Sequence, residues 1–242
     1  VASPAHIKPN NIGYCNNITI ESAGSLEMDA TTSVLNVYGN WSNSGVFAEG
    51  YGTVAFRGSY SPALIQTGGS VTDEVFYNLT INKTNAMDQV RITTSEVIVS
   101  NELTMTKGNI DTKTYNKLLT IGTSAATPGT LSYTNGFVYG KMRRWFAASI
   151  NSGKSTGLFP FGVEVSNDTI NRHMLLEYTG APTGGSLTAY FIDTEGMLWP
   201  WQWLATQPMV APFGTCGGFL VSSLCEDGYW QTDRSEERRV GK

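Results

Sequence analysis

The sequence predicts an all-β protein: a right-handed parallel β-solenoid (a β-helix) over residues 1–140, then a partial antiparallel β-sandwich-like module over residues 141–233. Two observations carry the first part. Apolar residues recur in i, i+2 pairs, the period-2 signature of half-buried strands: Ile18/Ile20, Leu26/Met28, Leu35/Val37, Val54/Phe56, Leu79/Ile81, Val90/Ile92, Val97/Val99 and Leu103/Met105. These pairs also return about every 6 to 9 residues, so three of them make a rung of about 20–25 residues, the period of a coil with three short strands per turn. Each rung of such a coil buries its inward residues against the rungs above and below it. A β-sandwich is the alternative, but it favours longer strands at wider spacing.

β-Branched residues dominate the pairs, and Thr or Asn fill the positions between them, as a pleated half-buried surface requires. Turn residues separate the pairs: Ala23-Gly24-Ser25, Asn43-Ser44-Gly45, Lys107-Gly108-Asn109 and Thr127-Pro128-Gly129. A chain that bends every few residues needs corner residues that tolerate positive φ. No window shows a helical i, i+3, i+4, i+7 stripe, so helix content is expected to be low.

Composition shifts near Gly140. Lys141-Met142-Arg143-Arg144-Trp145-Phe146 is a basic-aromatic cluster, and the runs Leu158-Phe159-Pro160-Phe161-Gly162, His173–Tyr178 and Ser186–Ile192 are more aromatic than those before. This part reads as an incomplete antiparallel unit. Arg234, Arg238, Arg239, Lys242, Glu236 and Glu237 then crowd six charges into the last nine residues of a chain in which only 15% of residues are charged. That string resembles translated adapter sequence, so residues 234–242 are read as a tail that is not native, and the natural chain is expected to continue beyond about Asp233. No signal peptide is visible ahead of Val1, as a mature or truncated N-terminus would explain.

The 16 Lys+Arg against 20 Asp+Glu give a net charge of −4, which leaves no basic excess for phosphates and argues against nucleic acid as a partner. No stretch reaches the ~18 consecutive apolar residues of a membrane helix, so no transmembrane segment is expected. Hydrophobic residues at 40% and aromatics at 11% disfavour disorder.

The runs Asn40-Trp41-Ser42-Asn43-Ser44-Gly45, Gly52-Thr53-Val54-Ala55-Phe56, Phe76-Tyr77-Asn78-Leu79-Thr80-Ile81, Leu103–Ile110 and Gly140–Trp145 follow one another in a familiar order. Phe159-Pro160-Phe161-Gly162, Tyr178-Thr179-Gly180-Ala181-Pro182 and Asp227-Gly228-Tyr229-Trp230 continue it. Together they resemble large secreted surface proteins of Bacteroidota, in which β-helical regions precede sandwich-like modules and many chains carry a C-terminal sorting domain for type IX secretion. The resemblance implies an extracellular or outer-cell-surface location, a structural or adhesive role without catalysis, and neighbouring domains in a longer chain. It supplies no catalytic residue. The sorting domain is not visible, which fits a fragment. The stretch from Glu195 to Glu226 departs from the pattern.

That stretch holds Trp199-Pro200-Trp201-Gln202-Trp203. In a strand, Trp199, Trp201 and Trp203 share one face, either packed into a core or against a neighbouring domain, or forming a platform on which sugar rings stack. Cys216 and Cys225 permit a small disulfide loop in an exported protein, the alternative being two unrelated small hydrophobes, and Cys15 is then left over. No CxxC occurs, His6 and His173 lie far from the later cysteines, and no GxSxG elbow is present. No metal site or cofactor is therefore expected. Asp73/Glu74, Asp88 and Glu96 are the nearest candidates for the paired acids of a polysaccharide-degrading β-helix, against the plainer reading of solubilising turn residues. Asp29, Asp111 and Asp168 are weak candidates for calcium. Thr104/Thr106 and Thr112/Thr114 repeat too irregularly for an ice-binding ladder, and the Asn-x-Ser/Thr triplets at Asn17, Asn40, Asn78, Asn82 and Asn167 read as turn residues. The expected function is an extracellular structural or adhesion module; the rival is a carbohydrate-binding or β-helical polysaccharide-degrading protein, with cell-surface or extracellular glycans as partner.

Overall fold

The computed structural model describes residues 5–7, 11–29, 31–147, 157–165, 168–178, 184–193, 219–221 and 228–234. Among them there is no helix. Six turns of coil follow one another. The first holds β1 (Ala5–Ile7), β2 (Ile12–Cys15) and β3 (Ile18–Ile20); the second β4 (Ser25–Met28), β5 (Val34–Val37) and β6 (Trp41–Asn43); the third β7 (Val46–Ala48), β8 (Thr53–Gly58) and β9 (Ala63–Thr67). The fourth holds β10 (Asp73–Lys83) and β11 (Gln89–Ile92), the fifth β12 (Glu96–Lys107) and β13 (Asn109–Asp111), and the sixth β14 (Leu118–Ile121), β15 (Thr130–Tyr133) and β16 (Val138–Tyr139).

Every pairing between these strands is parallel. The register fixes the rung length directly. Val34 pairs with Thr53, the shortest step, and Leu103 with Leu131, among the longest, bracketing the interval expected from the apolar pairs. At about 4.8 Å per rung, six turns stack to about 29 Å.

The apolar pairs named above form the core. Leu35, Val37, Val54, Phe56, Leu79, Ile81, Val97, Val99, Leu103 and Met105 are all buried, and only Ile18 of the sixteen is partly open. Each inward side chain removed from water contributes about 1.5–3 kcal/mol, and in a coil this gain repeats once per strand. Val97/Val99 and Leu103/Met105, which read as two strands, belong to the single long β12. It and β10 run through a corner instead of stopping there, and register shifts between Phe76 and Asn78 and after Ile81 absorb the bend.

Polar side chains take over where backbone groups lose their ladder partners. At the corner after β6, β9, β11 and β13, the inward residues are Asn43, Thr67, Thr94 and Thr112. The Thr67 and Thr94 hydroxyls are 2.7 Å apart, Thr94 donates to the Thr72 carbonyl and Thr112 to that of Tyr139. At the opposite corner, Asn17 Oδ1 accepts from the Asn40 amide and Asn40 Oδ1 from the Leu64 amide, so asparagines tie successive rungs together.

The corner glycines divide into two kinds. Gly108 and Gly129 have φ of +97° and +64°, as the turn chemistry predicts. Gly45 lacks positive φ, and its reason is space: a Cβ there would lie 2.2 Å from the Glu21 carbonyl oxygen and 2.4 Å from that of Gly24. Gly45→Ala is therefore expected to cost about 2 kcal/mol by overpacking against backbone, read as a lowered urea midpoint; an unchanged midpoint would show that the corner relaxes freely.

The pairing changes direction at β17 (Lys141–Phe146). It lies parallel to β14 on one edge and antiparallel to β22 (Gly185–Asp193) on the other, and β22 pairs antiparallel with β24 (Gly228–Arg234), so one sheet runs from β2 to β24 without a break. Beside it, β18 (Leu158–Phe159) pairs with β21 (Met174–Tyr178), which pairs with β23 (Phe219–Val221), and β19 (Gly162–Val165) forms a hairpin with β20 (Asp168–Asn171). The basic-aromatic cluster of the sequence is this switching strand. Met142, Arg144 and Phe146 point inward, and Arg144 donates to the Leu158 carbonyl at 2.6 Å with its guanidinium over the rings of Phe146 and Phe159. It closes the apolar column with a stacked cation.

Candidate functional site

The candidate site is a cleft where the parallel coil meets the antiparallel strands. β11 and β13 lie side by side in register, so Gln89 and Arg91 sit beside Asn109 and Asp111, which are themselves buried. Val138 bridges to Phe161, which extends the same surface to Gly162, Val163 and Glu164. Phe191 on β22 forms the far wall. The resulting cleft encloses about 250 Å³.

Its floor is a chain of mutually fixed polar groups. Gln89 Nε2 donates to Glu164 Oε2 at 2.9 Å, and Gln89 Oε1 accepts from Arg91 Nη2 at 3.3 Å. Arg91 Nε pairs with Asp111 Oδ2 at 2.7 Å, and Asp111 Oδ1 accepts from the Thr114 amide at 3.0 Å. Amide, guanidinium and carboxylate thus lie in one relay, each orienting the next. Tyr139 at the base donates to or accepts from Thr169 at 2.7 Å, and burial pushes its phenol pKa up, so it stays a neutral hydroxyl. A second cleft of about 240 Å³ adjoins the first and shares Lys113, Gly140 and Phe191 with it. Tyr190 lines it, with the Lys141 ammonium 5.7 Å from the Tyr190 ring centroid.

The residues singled out by sequence are dispersed. Trp199, Trp201 and Trp203, like Cys216, Cys225 and Asn167, lie outside the described residues. Asp73 is exposed, while its neighbour Glu74 points into the core. There Trp41 Nε1 donates to Glu74 Oε2 at 3.0 Å and Asn43 Nδ2 donates to Oε1 at 3.3 Å. Burial raises the Glu74 pKa to about 7, outweighing the two donors, which favour the ionised form. Asp88 caps the turn at Asn85, accepting from its amide at 2.8 Å. Glu96 accepts from Thr120 and pairs with Arg143. The four acids proposed for a catalytic groove therefore do not converge. Of the calcium candidates, Asp111 is held by Arg91 and Thr114, and among the described residues no three His, Cys, Asp or Glu gather in one place. His173 is half-buried, meets the Tyr133 hydroxyl at 3.2 Å, and is pushed by burial below the ordinary imidazole pKa. The Cys15 thiol points to the Asn36 carbonyl at 3.7 Å and is pushed up by partial burial. No helix among the described residues is long and apolar enough to cross a membrane.

Sequence reasoning named Asp111 but missed the rest of the cleft. The available signal was the rung period: Arg91 lies one turn before Asp111 and so sits beside it. Comparison of the chain with protein-family models, with curated proteins and with solved structures finds no match.

Proposed function

We propose that this chain is a structural or adhesive module of an extracellular or outer-cell-surface bacterial protein, without catalytic activity, set among neighbouring domains of a longer type IX-exported chain. The observation that supports this most is the continuous six-turn coil, with an apolar core that runs through every turn and many Thr, Ser and Asn at its outward positions. Such a stack resists deformation along its axis because the strands of its inner turns are mostly hydrogen-bonded to the turn before and the turn after, and the chain carries little charge. Antibodies raised against residues 11–147 are expected to label intact cells of the source organism. Labelling only after permeabilisation overturns the reading, as does release of reducing ends when the purified protein is incubated with surface polysaccharides.

The cleft favours a second reading, in which the module binds carbohydrate. Pre-oriented amide, guanidinium and carboxylate groups beside an aromatic ring suit sugar hydroxyls and sugar C–H faces. The support for this reading is the cleft.

A further inference from the structure

We propose that the two adjoining clefts bind a single acidic oligosaccharide, with two neighbouring sugar rings seated on either side of Lys113 and a uronate carboxylate taken by its ammonium. This rests on the carbohydrate-binding reading and names the sugar class. Three features point to it.

The first is the division of chemistry along the groove. The Gln89–Arg91–Asp111 floor offers fixed donors and acceptors to the hydroxyls of one ring. Tyr190 and Phe191 line the second cleft with apolar surface, the Lys141 ammonium 5.7 Å from the Tyr190 ring centroid and the Arg172 guanidinium 5.5 Å from that of Phe191. The relay holds the floor side chains before any ligand arrives, so little rotamer entropy is lost on binding.

The second is size. Each cleft, at about 250 and 240 Å³, is below the ~300–1,000 Å³ range of drug-sized sites, which fits one ring per cleft and a glycosidic link across the shared residues.

The third is charge. Arg91 is neutralised by Asp111. Lys113 is exposed and makes no ion pair or side-chain hydrogen bond among the described residues, and Lys141 meets only the Tyr190 ring. Two uncompensated cations thus flank the second cleft in a chain whose net charge is −4, and the position common to both clefts is one of them. A neutral sugar leaves Lys113 unused; a uronate supplies its counter-ion as a charge-assisted hydrogen bond.

The test is calorimetric titration of the full chain with an unsubstituted disaccharide of two uronic acids and with its neutral hexose counterpart, using wild type, Lys113→Ala, and Lys107→Ala as a control that removes the same charge elsewhere on the coil. The diuronate is expected to bind about 10-fold tighter than the neutral sugar, the preference disappearing in Lys113→Ala and surviving in Lys107→Ala. Equal or tighter binding of the neutral sugar overturns the acidic-sugar inference and leaves the carbohydrate reading standing. Equal losses in both lysine variants place the effect in general electrostatics and overturn the site. Binding of neither sugar overturns both the inference and the reading on which it rests.

Discussion

Trp41→Ala is expected to lower stability by about 5 kcal/mol, the upper end of the range for deleting a buried aromatic. The Trp41 ring is fully buried and meets Phe47 and Phe76 edge-on, with centroids 4.7 and 5.2 Å away. Truncation removes that packing and both aromatic contacts, and it strips Glu74 of one of the two side-chain donors that hold it in the core. The loss approaches the whole stability of a typical domain. A stacked coil distributes it unevenly, because each rung leans on its neighbours alone. Amide exchange should therefore lose protection in β3, β6 and β9, which carry or adjoin Trp41, and retain more of it in β14 and β17 at the far end. Trp41→Phe keeps most of the ring and should lose less, the remaining deficit coming from the missing indole N–H. A urea midpoint unmoved by Trp41→Ala would contradict the account of the core as a continuous column.

The coil was legible because alternation is a local property. Leu35 and Val37 announce their face within one strand, and the interval to Val54 and Phe56 announces the rung. What local patterns could not reveal is where a corner is bridged instead of cut. β10 and β12 continue through theirs by shifting register, and neither Tyr77 nor Ser100 signals it. Glu74 was legible in principle: it stands two residues before Phe76, on the same face, and its inward direction follows from period 2 alone. An acid at an inward position runs against the burial rule, so the pattern alone favours a catalytic or a solubilising turn carboxylate over a core one. The cleft lay further out of reach. Arg91 and Asp111 follow from the rung period, but Glu164 and Phe191 arrive on antiparallel strands, where the period no longer applies.

Glu74 should make the protein less stable as pH rises from about 5 to about 8. The ordinary value for this carboxyl is 4.5, and in the folded protein it stands at about 7, because burial beside Trp41 and Asn43 penalises the charge and Glu49 adds repulsion. Below 4.5 the group is protonated whether the chain is folded or not, and it contributes no pH dependence. Between the two values the unfolded chain gives up the proton and the folded chain keeps it, so each pH unit favours unfolding by about 1.4 kcal/mol. Above 7 both states are ionised and the loss is complete, on the order of 3 kcal/mol. His173 acts in the opposite sense: its pKa is lowered by burial, so its contribution to stability is gained as pH rises through the imidazole range. The difference between wild type and Glu74→Gln isolates the carboxyl from this background. The amide can still accept from Trp41 and cannot ionise, so the variant should lose the decline across pH 5–8 and gain on wild type most at the alkaline end. Urea midpoints at pH 5 and pH 8 read this directly. Parallel pH profiles for the two proteins would mean that Glu74 is not held protonated in the core, and that the Trp41–Asn43–Glu74 cluster carries a full charge which the surrounding aromatic side chains tolerate.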